Sequence, residues 1–254
     1  MTLGATRLNR AVAAPLALLL PPSEGKAPGG ESIWDPGDGE FGVALGPWRA
    51  QVVDALARCG GGDEQLFGVG GAHLLRAQSA NVSLLGAPAL PACRRYTGVV
   101  WKHLDLDTLT PAARRRAAAS IVVVSGLLGA VRLDDPTPDY RLKMSASLPP
   151  LGKLSTWWRP QLSATLNEWL TGRTVIDLLP AEHGAAWTPA PSRFGHYVTV
   201  AFVERGGRRA VGHGAKAAKG LLARHVLAGR GDPLRALKTW HDERYELRVD
   251  APFG

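Results

Sequence analysis

Polar side chains that could bind an anion are concentrated at 139–143, after a buried apolar run at 121–124 and the pair Ser125 and Gly126. The cluster consists of Asp139, Tyr140, Arg141 and Lys143. α/β proteins place ligand contacts where strands end in small residues. We therefore expect Arg141 to clamp an anion beside the Ser125 hydroxyl. An ion pair within the cluster is the structural alternative.

A second candidate phosphate site follows another apolar run, at 15–20. The Ser23 hydroxyl, the backbone N–H groups around Gly25 and the Lys26 ammonium could together bind a phosphate. The segment is not a Walker A loop, because the first glycine of that motif would fall at Leu20. An ordinary turn from a strand into a loop is an equally good interpretation.

A third titratable group contains Asp177, inside the apolar run at 175–179, with Glu182 and His183 just after that run. If the fold holds Glu182 near Lys26 or Arg141, its carboxylate could act as a general base. Glu182 and Ser125 are therefore the predicted catalytic residues, should the protein be an enzyme.

The segment 66–76 has the apolar-glycine alternation of a helix-hairpin-helix, a motif that binds the DNA backbone. Its glycines would allow close approach of a phosphate, and its second helix would offer N-terminal N–H groups. The predicted DNA contacts here are Gly68, Gly70, Gly71 and Arg76. A glycine-rich connection between two helices is the alternative, and the acidic pair at 63–64 would repel phosphate.

The chain is basic, with a formal net charge of +8, which favours a polyanionic partner. Lysines and arginines cluster between 205 and 230, including Arg208 and Arg209, and no acidic residue interrupts them. At helical spacing, Lys216, Lys219 and Arg224 share one arc and are predicted to contact DNA. A solvated basic surface is the simpler explanation of the same pattern.

Alternating strand and helix patterns must position these residues. Strands are predicted at 15–20, 120–124, 175–179, 197–204 and 244–249. Helices are predicted at 47–58, 111–118, 155–170 and 215–229, with two short helical pieces in 63–85. We expect helix 47–58 to begin at Pro47 and helix 155–170 to break near Pro160. The pattern predicts a mixed α/β fold, with helices flanking a central mixed sheet, in one domain spanning 1–254. Residues 1–10 are expected to form a loose leader.

Composition excludes several classes of protein. No apolar stretch is long enough for a membrane span. The run at 11–20 resembles a secretory signal but lacks a cleavage site. Two cysteines and dispersed histidines give no disulfide framework and no metal-ligand spacing. We expect a cytoplasmic protein, monomeric and without a cofactor or metal.

Five motifs in register carry a family resemblance. They are PSEGK at 22–26, YTGV at 96–99, SGLLGAVR at 125–132, YRLKM at 140–144 and KAAKGL at 216–221. Over roughly 15–228 the chain resembles the YaaA family of peroxide-stress proteins, in an actinobacterial form, whereas 231–254 match weakly. The positions that match the family pattern, and so are expected to bind ligand or phosphate, are Ser23, Lys26, Gly98, Ser125, Gly126, Tyr140, Arg141, Lys216 and Lys219.

The resemblance implies a cytoplasmic DNA-binding protein of the peroxide stress response. It would bind the DNA backbone through a helix-hairpin-helix element and a basic cleft containing Lys26, Arg141, Lys216 and Lys219. The alternative is an enzyme acting on a nucleotide, nucleoside or nucleobase in a strand-end pocket. That pocket would be lined by Lys26, Arg141, Glu182 and Lys216. An iron-linked stress protein with incidental DNA affinity is a third hypothesis.

Overall fold

A computed structural model describes residues 14–207 and 212–250 of the chain. The strands are β1 (Leu16–Leu20), β2 (Ser32–Ile33), β3 (Pro88–Pro91), β4 (Ile121–Ser125), β5 (Gly129–Arg132), β6 (Pro136–Pro138), β7 (Ser147–Leu148), β8 (Gly152–Lys153), β9 (Thr174–Asp177), β10 (His196–Glu204) and β11 (Tyr245–Asp250). The helices are α1 (Gly42–Arg58), α2 (Glu64–Phe67), α3 (Gly71–Val82), α4 (Ala92–Arg95), α5 (Val99–Leu104), α6 (Pro111–Ser120), α7 (Leu154–Trp169), α8 (Ala181–Gly184), α9 (Gly212–Ala228) and α10 (Pro233–Thr239). The predicted leader at 1–10, together with Arg208 and Arg209, lies outside the described residues.

The main sheet has six strands in the order β11-β10-β9-β1-β4-β5. The inner strands β10, β9, β1 and β4 are parallel, and the edge strands β11 and β5 are antiparallel to their neighbours. Leu18 of β1 is in register with Ile121 of β4 and Ile176 of β9. Apolar side chains fill β1 and β4 continuously because both faces of a central parallel strand are covered.

Two groups of helices cover the sheet. One contains α1, α3 and α7, and the other contains α5, α6, α9 and α10. Gly220 allows α9 to approach α5 closely, since a Cβ at that position would lie 2.2 Å from the Val100 carbonyl oxygen. The role of Gly220 is therefore to permit close packing of α9 on α5. Within the described ranges, no helix is long and apolar enough to cross a lipid bilayer.

The predicted mixed α/β class, with helices around a central mixed sheet, is confirmed. Two expectations about proline were wrong, because α1 begins at Gly42 with Pro47 inside it, and α7 continues through Pro160. Both prolines are exposed, and so are Val43 and Thr156, the residues four positions earlier whose carbonyls lose their helical partner. Water can hydrate those carbonyls, so neither helix has to end there.

A buried arginine organises the loop that leads away from β1. The Arg95 guanidinium donates to the carbonyls of Ala27, Gly29, Pro88 and Thr137. These bonds tie the loop to the small sheet of β2, β3 and β6. Arg95 is fully buried and immediately precedes Tyr96, so it also fixes the segment that faces Lys26.

Candidate functional site

The carboxyl ends of three parallel strands meet at one edge of the main sheet. Lys26 lies in the turn after β1, Ser125 ends β4 and Asp177 ends β9. In register, Leu19 of β1 lies beside both Val122 and Asp177. Predicted site residues from distant parts of the chain therefore share the edge where open α/β sheets bind ligands.

The turn after β1 is held against the segment at 96–98. The Thr97 N–H donates to the Ser23 hydroxyl at 3.1 Å and to the Gly25 carbonyl at 3.1 Å. A Cβ at Gly98 would lie 2.6 Å from the Cβ of Ser23, so glycine is needed for this close approach. The turn is thus a fixed structure in which Ser23 is already committed to the backbone.

Lys26 is buried, with 8% of its surface exposed. Its Nζ donates to the Ser23 carbonyl oxygen at 2.7 Å and lies 4.1 Å from the ring centroid of Tyr140 and 5.6 Å from that of Tyr96. In the part of the chain that the structure describes, no carboxylate forms an ion pair with it. Burial, reinforced by the positive charge of Arg141, lowers the pKa of Lys26 to about 7.

Other charges around Lys26 partly cancel. Asp139 and Glu24 favour the charged ammonium, whereas Arg141 and Arg95 disfavour it. Because these contributions oppose one another, burial remains the main cause of the lowered pKa. The amine is therefore divided between its neutral and charged forms near neutral pH.

A chain of three hydroxyl groups lies beside this lysine. The Tyr140 hydroxyl is 2.6 Å from the Ser125 Oγ and 3.0 Å from the Tyr96 hydroxyl, and Ser125 also accepts from the Leu128 N–H at 3.3 Å. Burial raises the pKa of Tyr140 to about 12 and also raises the pKa of Tyr96. Both phenols stay protonated at neutral pH, so the chain can transfer protons without holding a charge.

Arg141 is held from two directions. Its Nη1 pairs with the Asp139 carboxylate and donates to the Tyr140 carbonyl at 2.8 Å. Its backbone N–H donates to the Asn81 Oδ1 at 2.9 Å, and its carbonyl accepts from the Asn81 Nδ2 at 2.7 Å. The internal ion pair considered from the sequence is therefore present. The Arg141 side chain is 20% exposed, and its guanidinium shares its charge with Asp139.

Glu182 occupies a second cluster at the same edge. Its Oε2 accepts from the Ser145 hydroxyl at 2.7 Å, and its Oε1 lies 3.6 Å from the His183 Nδ1. Burial lowers the pKa of His183 to about 4, so the imidazole is neutral at pH 7. Across the ranges described, Glu182 makes no ion pair with Lys26 or Arg141, the two partners considered for it from the sequence.

Lys219 and Asp177 fix the end of β9. The Asp177 carboxylate accepts from the Leu179 N–H at 2.8 Å and from the Tyr197 hydroxyl at 2.9 Å, and burial raises its pKa. The Lys219 Nζ donates to the Leu178 carbonyl and opposes the rise in the pKa of Asp177 through its charge. Lys219, predicted to bind phosphate, is thus half-buried and bonded to the strand end.

One segment, 139–147, joins the two clusters. Near its start, Tyr140 bonds to Ser125, and further along Ser145 bonds to Glu182. The segment therefore forms a wall along the carboxyl edge. A cationic cluster lies toward its beginning and a carboxylate lies toward its end.

The same wall borders a cavity of about 530 Å³. Lys143 and Ser145 line it from the wall, and Phe67 and neighbouring residues of α2 line it from the other side. Gly126 lets the wall pack closely on the end of β4, since a Cβ there would lie 3.0 Å from the Leu142 carbonyl oxygen. The cavity is large enough for a small molecule.

The chain is similar in sequence to known proteins over most of its length. The family model described as peroxide stress protein YaaA matches residues 50–251. The chain belongs to the YaaA family. A UPF0246 protein of Streptomyces coelicolor is 37% identical over 243 residues, covering 93% of this chain and 94% of the relative. A UPF0246 protein of Corynebacterium efficiens is 34% identical over 224 residues, covering 84% and 85%. One from Francisella tularensis subsp. novicida is 29% identical over 161 residues, covering 61% and 63%.

In this YaaA-family protein, the segment predicted as a helix-hairpin-helix contains α2, a short glycine connection and α3. Gly68 and Gly71 have positive φ angles of 67° and 57°, and Gly70 caps α3. Arg76 is exposed on α3, and the glycines of the connection are exposed as well. The helical pieces predicted in 63–85 are therefore present, and α2 is only four residues long.

The three basic residues predicted to share an arc on α9, Lys216, Lys219 and Arg224, have different surroundings. Lys216 is exposed. Arg224 instead donates through Nη1 to the carbonyls of Leu104 and Asp105, at 3.1 Å and 2.6 Å, and so caps the end of α5. Of the arc predicted for DNA, Lys216 is the one exposed cation among the described residues, because Lys219 donates to the Leu178 carbonyl just after β9 and Arg224 caps α5.

One side chain that shapes this YaaA-family site, Asn81, was not predicted from the sequence, whereas His183 was expected beside Glu182. Asn81 is fully buried in α3 and holds the backbone of Arg141. His183 is also buried, and its Nδ1 has no hydrogen-bond partner among the described residues. A buried asparagine is costly unless it is bonded, but nothing local in the sequence shows that Asn81 is buried.

Proposed function

We propose that this YaaA-family protein is a cytoplasmic enzyme of the peroxide stress response that acts on a nucleotide, nucleoside or nucleobase. The observation that carries the proposal is the wall at 139–147, which places Arg141 beside Lys26 and Ser145 against Glu182 along one edge. A ligand at this edge would meet cations at one end and a carboxylate at the other.

The roles follow from the local chemistry. Arg141 and Lys26 would bind the phosphate or another anionic group of the ligand through charge-assisted hydrogen bonds. Glu182, oriented by the Ser145 hydroxyl, would accept a proton as general base. Lys216, one helical turn before Lys219, would add positive charge at the rim. Ser125 would act through the Tyr140 hydroxyl, since its own side chain is buried.

Burial and internal bonding favour a small ligand over a duplex at this edge. Lys26 is almost completely covered, and Lys219 and Arg224 donate to backbone carbonyls. A rigid DNA backbone cannot reach a buried ammonium, whereas a phosphate on a small molecule can enter a cleft. These three cations, expected from the sequence to contact DNA, are therefore poorly placed to bind a duplex.

Calorimetric titration with a panel of nucleotides, nucleosides and nucleobases tests the proposal. Arg141→Gln should weaken binding of phosphate-bearing ligands by about 10- to 100-fold, because it removes a charged hydrogen bond worth roughly 1.5–3 kcal/mol. Nucleosides should lose little affinity. Glu182→Gln should reduce turnover by about 10²- to 10⁴-fold with a small change in affinity. Arg115→Gln, an exposed change on α6, is the matched control. Absence of binding across the panel would refute the proposal.

A second candidate function is binding of the DNA backbone through the α2–α3 connection. The observation favouring it is that Gly68, Gly71 and Arg76 are exposed and that no atom lies within 4 Å of a Cβ built at either glycine, whereas the Glu64 carboxylate lies beside Gly70. Fluorescence anisotropy with labelled duplex and branched DNA at two salt concentrations tests it. Affinity should fall steeply with salt, and Arg76→Ala should weaken binding more than Arg115→Ala does. Affinity independent of salt would exclude this function.

A further inference from the structure

Lys26 differs from every other lysine of the chain. The sequence contains seven lysines, all within the described ranges, and Lys26 alone is buried. Its amine has the Ser23 carbonyl as a hydrogen-bond acceptor and a tyrosine ring against it, and no described carboxylate pairs with it. A lysine that only bound anions would gain nothing from this burial, because burial disfavours its charge.

We propose that Lys26 is a nucleophile that forms an imine with an aldehyde or ketone ligand that also carries a phosphate or carboxylate. Ribose 5-phosphate, which a nucleotide releases together with its base when the glycosidic bond is hydrolysed, belongs to this class in its open-chain aldehyde form. The inference rests on the proposed function, because the proposed function locates the ligand, and so its reacting carbon, at the carboxyl edge of the sheet. It adds a reaction type that the anion-binding role of Lys26 does not include.

Nucleophilic attack requires the neutral amine. With its pKa lowered to about 7, roughly half of Lys26 is neutral at pH 7. An ordinary lysine, with a pKa of about 10.4, is neutral in roughly one molecule in 2,500 at that pH. Desolvation and neighbouring cations are recognised ways to activate a lysine nucleophile, and the neighbouring cations here are Arg141 and Arg95. Asp139 and Glu24 act in the opposite direction but do not outweigh burial.

The step balances without an added oxidant or reductant. The nitrogen lone pair attacks the carbonyl carbon, a C–N bond forms and the carbonyl oxygen becomes a hydroxyl. The nitrogen then loses its second proton, the C–O bond breaks and the oxygen leaves as water, which gives the imine. The hydroxyl chain from Ser125 through Tyr140 to Tyr96 is protonated at neutral pH. Its middle hydroxyl belongs to Tyr140, whose ring contacts Lys26. It can donate the proton that helps water leave and take one back from the nitrogen.

The anionic group of the ligand is assigned to Arg141. The Arg141 side chain is partly exposed, and its positive charge lies close enough to Lys26 to lower the pKa of that amine. A carbonyl compound bound through a phosphate or carboxylate at Arg141 would present its carbon toward the amine. Neutral aldehydes should therefore react less completely than anionic ones of similar size.

Reductive trapping on the full-length protein tests the inference. Glyoxylate, a small anionic aldehyde, is added with cyanoborohydride at pH 7, and the modified lysines are identified by peptide mass mapping. Lys26 should be labelled at least about 10-fold faster than each of the other lysines, since its neutral fraction is far larger. Ribose 5-phosphate should label the same residue, and formaldehyde should show less preference for it.

Variants and a parallel titration make the result decisive. Lys26→Arg should remove the fast label, and Lys102→Arg, an exposed change on α5, should retain it. Labelling that follows surface exposure, with Lys26 unmodified, would overturn the inference. Nucleotide binding by the same preparation without trapping at Lys26 would overturn the imine but leave the proposed function standing. Trapping at Lys26 without nucleotide binding would support the imine and exclude the nucleotide class.

Discussion

Replacing Lys26 with methionine should stabilise the folded protein at neutral pH. Methionine has nearly the same length and shape as the lysine stem but carries no charge. Burial lowers the pKa of Lys26 from 10.5 to about 7 in the folded state. That shift corresponds to about 5 kcal/mol of destabilisation while the lysine is charged. Loss of the bond to the Ser23 carbonyl offsets roughly 2–3 kcal/mol. The net gain for Lys26→Met should therefore be about 2–3 kcal/mol at pH 6–7.

The sign of the pH dependence follows from proton binding. Between pH 7 and 10.5 the unfolded chain keeps the Lys26 proton and the folded chain loses it. Wild-type stability therefore rises with pH across that window through this group, by about 1.4 kcal/mol per pH unit. The methionine variant lacks this contribution. The extra stability of Lys26→Met over wild type should be constant below pH 7 and shrink above it. It should vanish near pH 9, where the remaining cost of burying the charge equals the loss of the bond to the Ser23 carbonyl.

Urea unfolding at pH 6, 7, 8 and 9 measures this difference between wild-type and Lys26→Met protein. Subtracting the two curves removes the titration of all groups that the proteins share. Lys102→Met, at an exposed position, should differ from wild type by less than about 0.5 kcal/mol at every pH. A Lys26→Met difference that does not change between pH 7 and 9 would refute the assignment of a neutral buried amine. So would a variant that is less stable than wild type at pH 6.

Two further predictions concern the residues that hold the site in place. Gly98→Ala should lower the free energy of unfolding by about 1–3 kcal/mol, because its Cβ would overlap the Cβ of Ser23. Gly184→Ala, with no atom within 4 Å of the added Cβ, is the control, and equal thermal stability of the two variants would contradict the close approach. Asn81→Ala should lower stability by about 2–4 kcal/mol in urea unfolding, because the backbone groups of Arg141 lose their partner. The Asn81→Ala variant should also bind anionic ligands more weakly in calorimetry, and unchanged affinity would show that Asn81 does not position Arg141.

Much of the architecture could be predicted because its signals are local. The apolar runs that became β1, β4 and β9 are short, branched and bounded by turn residues, which is enough to recognise buried strands. The edge strand β11 and the helical pieces around the glycine connection were recognised in the same way. Local rules failed at Pro47 and Pro160, where solvation of the freed carbonyls depends on which face of the helix is exposed.

The candidate site was predicted only in part. The sequence identified Lys26, Arg141 and Glu182 as chemically capable, and parallel strands bring their segments to one edge. It did not show that Glu182 would bond to Ser145, or that Arg224 would cap α5. Each of those bonds joins segments that are far apart in the chain, so no local pattern encodes it.

By itself, the sequence determined five of the six strands of the main sheet, its four longer predicted helices, the polar residues that follow the strands and membership of the YaaA family. Tertiary structure alone decided which of those residues carry a charge and which reach solvent. Lys26 is a surface-type residue by composition, yet packing against Tyr140 buries it and removes much of its charge at neutral pH. The physical reason is that the free energy of an ionised group depends on its burial and on the charges near it in space.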